Sequence, residues 1–352
     1  MNRLSGLYKL LDNSCLDGLL LSNPANISYL CCFRSRDAYL LVSRKGNIYI
    51  SDFRYRQEAK EFLAKDFSFR EVNGSVFKII AQEISALKLD KVGFEERNLP
   101  FAEHKKICED LGRSAELIPT HNLVESLRQI KDKDELAKIR KATQIASDTL
   151  RYLPKILKPG IRELEVAAEI ERFIRYKGAY AASFDTIVAS GANSAFPHYL
   201  SGKRKLVEDE PVLIDMGVDY QGYKSDLTRV FFLGKIPVLA RKIYNIVKQA
   251  QEMAIKMIKP GVEIRRVDEA SRQYISKRGF GSFFGHSLGH GLGLEVHEGP
   301  SVSGNVKEKL KSGMVFTIEP AIYIPNKFGI RLEDMVLVTP KGAEVLSGTL
   351  NK

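Results

Sequence analysis

Apolar positions in the first third of the chain switch repeatedly between a helical and a strand period. Leu4 to Leu11 recur at helical spacing, Gly18-Leu-Leu-Leu-Ser is a continuous run suited to a buried strand, and Asn23-Pro24 reads as a turn. Ala38-Tyr-Leu-Leu-Val and Asn47-Ile-Tyr-Ile-Ser flank Arg44-Lys45-Gly46, a hairpin signal. Glu58–Leu63 and Val76–Leu87 then read as helices, Lys91-Val-Gly-Phe as a strand and Pro100–Leu111 as a further helix. The alternation predicts an α/β domain over residues 1–123. Leu117-Ile-Pro-Thr-His-Asn-Leu-Val breaks the pattern, and a second domain, 124–352, follows with a long polar helix starting near Asp134.

The second domain repeats itself. Residues 140–178 align without a gap onto 241–279, sharing Arg-Lys at the start, Lys-Pro-Gly at 158–160 and 259–261, and Gly178 with Gly279. Each copy predicts a helix ending at Lys-Pro-Gly and a second helix closed by glycine.

Each copy also leads to an acidic hairpin. Val212-Leu-Ile is an apolar run ending on Asp215, Gly222 supplies a turn, and Asp226 returns. Antiparallel partners have positions of constant sum, so pairing Asp215 with Asp226 places the apex at Tyr220-Gln221. The echo is Met314-Val-Phe-Thr-Ile-Glu319-Pro, answered by Arg331-Leu-Glu333 with its apex at Asn326. Opposed like charges cost energy across strands. Four carboxylates converging about a pseudo-twofold axis therefore call for cations.

Histidines gather in the same region: His198 in Phe196-Pro-His-Tyr, and His286, His290 and His297 in a glycine-rich stretch. His286 and His290 are four apart, but Gly285, Gly289, Gly291 and Gly293 argue against a zinc-binding helix and for backbone packed close to a crowded site.

Composition narrows the rest. The net charge of +11 is uneven, with 18 Lys and Arg against 17 Asp and Glu up to residue 125 and 36 against 26 beyond it. The basic groups, such as Lys203-Arg-Lys and Lys307/Lys309/Lys311, lack interleaved aromatics, which favours a solvated surface over nucleic acid. No apolar run is long enough for a membrane span and no signal peptide is evident, so a cytoplasmic location is expected. Cys15, Cys31, Cys32 and Cys108 show no C-x-x-C spacing and read as buried free thiols.

Leu-Ile-Asp215-Met-Gly, Ser-Asp226-Leu-Thr-Arg, Gly-His290-Gly-Leu-Gly, Thr-Ile-Glu319-Pro and Arg-Leu-Glu333-Asp together resemble the pita-bread metallopeptidases, which include aminopeptidase P, prolidase, methionine aminopeptidase and the metal-free creatinase. Asn26-Ile-Ser-Tyr-Leu and Ser51-Asp-Phe-Arg-Tyr-Arg-Gln-Glu-Ala resemble the creatinase-type N-terminal domain, so the likeness spans the chain. It implies an α/β N-terminal domain followed by an α+β pita-bread domain with an internal pseudo-twofold duplication. It further implies two divalent ions, Mn²⁺ or Co²⁺ with Zn²⁺ as the alternative, an oxygen-rich set matching hard or borderline metals. Asp215 would hold one ion, His290 and Glu319 the other, and Asp226 and Glu333 would bridge. Glu319 would relay a proton, His198 and His297 would bond the scissile region, and Arg331 would orient the acids. Phe-Pro-His-Tyr and the N-terminal domain favour the proline-directed branch, acting as a homodimer on peptides with proline second. Prolidases carry an arginine shortly after the His-Glu; this chain has Ser301 in His297-Glu-Gly-Pro-Ser, which tilts the expectation to Xaa-Pro aminopeptidase, with prolidase as the alternative. A non-catalytic peptide-binding relative would have lost ligands that are all present here.

Overall fold

The computed structural model describes residues 3–348. The chain packs as two compact units, the first running to Arg128 and the second from Gln129 onward. Among the described residues no helix is long and apolar enough to cross a membrane.

The first unit is built on a six-stranded sheet with spatial order Ser68–Glu71, Gly46–Ser51, Tyr39–Ser43, Gly18–Leu21, Lys91–Glu95, Glu116–Thr120. Tyr39–Ser43 runs antiparallel to both its neighbours, and the other three contacts are parallel. Its β-branched and leucine-rich strands pack on Ile80 and Ile84 of helix Val76–Ala86 and on Ile107 and Leu111 of helix Phe101–Leu111.

Three local expectations change here. Asn23-Pro24 starts a helix rather than a turn: Asn23 Oδ1 accepts from the Ala25 N–H at 2.7 Å, and Pro24 occupies the first helical position, where its missing N–H costs nothing. Leu117-Ile-Pro-Thr is the sixth strand, and Pro119 is tolerated because that strand lies at the sheet edge. Of the four free cysteines only Cys31 is buried, while Cys15 and Cys32 are exposed.

The second unit carries the duplication. Helices Lys133–Tyr152 and Glu163–Tyr176 lead to a three-stranded sheet of Ile187–Ser190, Pro211–Met216 and Leu227–Phe232. Helices Val238–Met257 and Ile264–Lys277 lead to a five-stranded sheet containing Gly289–Gly291, Glu298–Val302, Val315–Ile318 and Asp334–Thr339. Matching glycines hold matching backbone: φ is 91° at Gly160 and 88° at Gly261, and 89° at Gly178 and 85° at Gly279. The Gly160 N–H donates to Leu206 O and the Gly261 N–H to Leu310 O, both at 2.8 Å. Helices cover the sheets through two apolar clusters, leaving one face of the hairpins for the acidic groups.

Candidate metal centre and active site

The first hairpin does not oppose its two aspartates. Asp215 lies opposite Thr228, and the ladder resumes with Asp219 opposite Lys224 and Tyr220 opposite Tyr223. The apex is Gln221-Gly222, with φ of 51° and 87°. A two-residue hairpin turn with both φ values positive suits glycine at its second position, so the turn sits one residue later than the carboxylate spacing alone suggested. Asp226 is consequently diagonal to Asp215 and shares a face with Thr228. A Cβ on Gly217 would lie 2.1 Å from the Ser225 carbonyl oxygen, so the strands close up there only because position 217 is glycine.

The second hairpin keeps the expected register. Ile318 pairs with Asp334, Ala321 with Arg331 and Ile324 with Phe328, with Asn326 at the apex at φ 60°. Glu319 and Glu333 face each other in the gap between two ladders.

His290 arrives on the short strand Gly289–Gly291. A Cβ on Gly289 would meet Thr317 O at 2.0 Å and one on Gly291 would meet Gly299 O at 2.2 Å, which is the close backbone approach the glycines suggested. The His290 N–H donates to Thr317 Oγ1 at 3.1 Å, and Ser301 is the cross-strand partner of His290.

These elements converge on a cavity of about 820 Å³ lined by Asp215, Asp226, His290, Glu319 and Glu333, and also by His198, His297, Arg331 and Ser301. His290 Nε2 lies 3.4 Å from Glu319 Oε1 and 3.6 Å from Asp226 Oδ2. Asp226, His290 and Glu333 each present a ligand atom within 4.8 Å of the others. His297 packs edge-on to His290, with ring centroids 4.2 Å apart. Arg331 donates to Asp215 Oδ2 at 2.6 Å, Tyr323 Oη at 2.6 Å and Thr228 Oγ1 at 3.1 Å, and Thr228 in turn donates to Glu333 Oε2 at 2.7 Å. His198 stands on a loop fixed by buried Glu163, whose carboxylate accepts from Ser190 N–H, Ser190 Oγ, Asn193 Nδ2 and Tyr199 Oη at 2.8, 2.7, 3.1 and 2.8 Å.

Residues 137–340 match metallopeptidase family M24, and residues 3–130 match the creatinase/prolidase N-terminal domain. The chain belongs to metallopeptidase family M24. This M24 enzyme is similar to the uncharacterized peptidase YqhT of Bacillus subtilis, 36% identical over 98% of the chain and 97% of the relative. Among solved structures it resembles an Xaa-Pro dipeptidase from Bacillus anthracis (TM-score 0.96, 36% identity, 99% of this chain and 98% of that one). It also resembles an X-Pro aminopeptidase from Thermotoga maritima (TM-score 0.88, 35% identity, 95% and 96% covered). A prolidase from Pyrococcus furiosus gives a TM-score of 0.90 at 33% identity, with 97% and 98% covered.

The M24 family works with divalent metal ions, and the donor set fits them. Asp215 Oδ1 and Asp226 Oδ1 are buried without a hydrogen-bond partner among the described residues, a cost that a cation would remove. Without ions the M24 cavity favours the protonated form of three of its acids. Burial, then the charges of Glu333, Asp215 and Glu319, raises Asp226 well above the carboxylate range. Burial, then Glu319 and Asp215, does the same to Glu333. Glu319 rises to about 7, chiefly through burial against the opposing pull of Arg331. Burial, aided by His297, lowers His290 to about 4 and so presents it as a neutral imidazole.

Tyr323 and Thr228 escaped the sequence reading of this M24 site. Thr228 stands two residues after Asp226, on the same strand face, and the correct hairpin register would have placed it opposite Asp215. His286, singled out by sequence without a role, lines the cavity and contacts Tyr323 Oη at 3.2 Å.

Proposed function

We propose that this M24 peptidase hydrolyses the bond between an N-terminal residue and a following proline, and that it prefers peptides longer than a dipeptide. Two divalent ions, Mn²⁺ or Co²⁺, would be held by Asp215, Asp226, His290, Glu319 and Glu333, with Asp226 and Glu333 shared. When bound, such ions polarise the scissile carbonyl and acidify water. Glu319 is placed to carry a proton on a carboxylate oxygen and pass it to the leaving proline nitrogen, because it lines the cavity with Oε1 3.4 Å from His290 Nε2. His198 and His297 line the same cavity and would donate to the scissile carbonyl region. Arg331 fixes the orientation of Asp215 and, through Thr228, of Glu333.

The printed names of the Bacillus anthracis and Thermotoga maritima proteins both specify an Xaa-Pro bond, which supports proline in the second position. Substrate length rests on Ser301. It lines the cavity as the cross-strand neighbour of His290, and among the described lining residues Arg331 is the one arginine or lysine and is committed to Asp215. A dipeptide carboxylate would therefore meet a hydroxyl where a guanidinium would reward it. The likeness to the Bacillus anthracis Xaa-Pro dipeptidase favours the second reading, a dipeptidase. Rates on Ala-Pro, Ala-Pro-Ala and Ala-Ala-Ala, measured after chelation and after adding Mn²⁺, decide between them. The expected order is Ala-Pro-Ala above Ala-Pro, with Ala-Ala-Ala far below; a clear preference for Ala-Pro establishes the dipeptidase.

A further inference from the structure

The two facing glutamates sit where the second hairpin is weakest. The ladder of Val315–Ile318 with Asp334–Thr339 stops at Ile318 and Asp334, and the ladder of Ala321–Ile324 with Phe328–Arg331 begins at Ala321 and Arg331. Between them Pro320 has no N–H to give, and the strands are joined by a single long bond from the Leu332 N–H to Pro320 O at 3.4 Å. The Leu332 carbonyl, opposite a residue that cannot donate, is thus left to find a partner outside the hairpin, while Ile318 closes the first ladder opposite Asp334.

Gln251 is that partner. It is fully buried in helix Val238–Met257, on a face otherwise made of Ala240, Ile243, Val247, Ala250 and Ala254. Its Nε2 donates to Ile318 O at 2.8 Å and to Leu332 O at 3.1 Å, spanning both strands from one nitrogen. Its Oε1 is buried with no partner among the described residues. Burying an amide with half its bonding capacity unused is unfavourable. Packing alone does not require it, because in the other copy of the duplication the aligned position is Leu150, also buried. The polar side chain occurs only in the half whose hairpin breaks at a pair of facing carboxylates.

We propose that Gln251 is a positioning residue for the metal centre, a splint that fixes the separation and aim of Glu319 and Glu333 by tying together the carbonyls that precede them. This rests on the reading of those two glutamates as metal ligands. The effect is exerted through backbone, so Gln251 itself touches neither metal nor substrate. Loss of such an outer contact typically weakens metal binding by 10- to 100-fold.

Full-length protein stripped of metal is titrated with Mn²⁺ alone by calorimetry, comparing wild type, Glu333→Ala and Gln251→Met. Met keeps the length and fills the space without a donor. Glu333→Ala tests the underlying ligand reading: if it binds Mn²⁺ as wild type does, that reading fails and the splint with it. If Glu333→Ala loses Mn²⁺, the Gln251 variant decides the splint separately. The expected result is Mn²⁺ affinity weakened about 10- to 100-fold, with circular dichroism and cooperative unfolding of the metal-free protein retained. Unchanged Mn²⁺ affinity overturns the proposal, and a lowered metal-free melting temperature alongside it assigns Gln251 a purely structural role. Should Gln251→Met not unfold cooperatively, Gln251→Asn, which keeps the amide but stops one methylene short of both carbonyls, is judged by the same affinity criterion.

Discussion

Arg331 and Asp215 form a buried ion pair, Nη2 to Oδ2 at 2.6 Å, and the same guanidinium reaches Glu333 through Thr228. One side chain therefore orients acids from both hairpins. Replacing it by Met should reduce kcat roughly 10- to 100-fold at saturating Mn²⁺. Arg331→Lys should not restore the rate, because an ammonium cannot reproduce the planar fork that meets Asp215, Tyr323 and Thr228 together. Steady-state kinetics on Ala-Pro-Ala checks both variants, and a rate within twofold of wild type would remove Arg331 from the centre.

Ser301→Arg should move the substrate preference towards dipeptides. A charge-assisted bond to a terminal carboxylate is worth roughly 1.5–3 kcal/mol, so the ratio of kcat/KM for Ala-Pro over Ala-Pro-Ala should rise about 10- to 100-fold. An unchanged ratio means that position 301 does not meet the carboxylate.

Lys131 and Glu298 form an ion pair at 2.8 Å with side chains only 1% and 4% exposed, next to His297. Lys131→Met leaves Glu298 buried without its cation and should cost about 3–5 kcal/mol in chemical denaturation. Lys131→Met combined with Glu298→Gln should recover part of that loss. If the double variant is as unstable as the single, uncompensated charge is not the cause.

The metal-free protein should lose stability as pH rises above about 6.5. Asp226, Glu333 and Glu319 have raised folded-state pKa values, so the fold holds their protons more tightly than the unfolded chain, and stability falls as pH climbs towards and through about 7 for Glu319. His286 and His290 act in the opposite sense, since their folded values of about 4 lie below the ordinary 6.5 and add stability as pH rises between those values. Above 6.5 the histidine contribution is complete and only the carboxylate loss continues. Melting temperatures with a chelator should decline from pH 6.5 to 8, and saturating Mn²⁺ should remove the decline. A rising chelator curve contradicts the assignment of buried, mutually repelling acids.

Much of this architecture could be read from residues whose roles are local. Lys-Pro-Gly and the capping glycines state the duplication in backbone terms, and the structure repeats their φ values. The Glu319 hairpin was legible because Pro325-Asn326-Lys327 marks its apex unambiguously. The Asp215 hairpin was misread by two places because carboxylate spacing was used to set the register, whereas the turn at Gln221-Gly222 sets it. Glu163 and Gln251 were invisible in sequence. Each looks like an ordinary polar residue on a helix, and its importance comes from distant backbone that only tertiary packing brings within reach.

That two-place offset between the hairpins has a further consequence. A peptide has a direction, and a centre built from two equivalent halves would receive it equally well either way round. Here one half sets its aspartates diagonally, with a threonine where the other half has a carboxylate, while that other half opposes its glutamates and itself supplies His290, whose strand pairs with Val315–Ile318. The cavity thereby acquires a front and a back. Unequal register within a duplicated frame lets a nearly twofold scaffold tell the amino end of a chain from its carboxyl end.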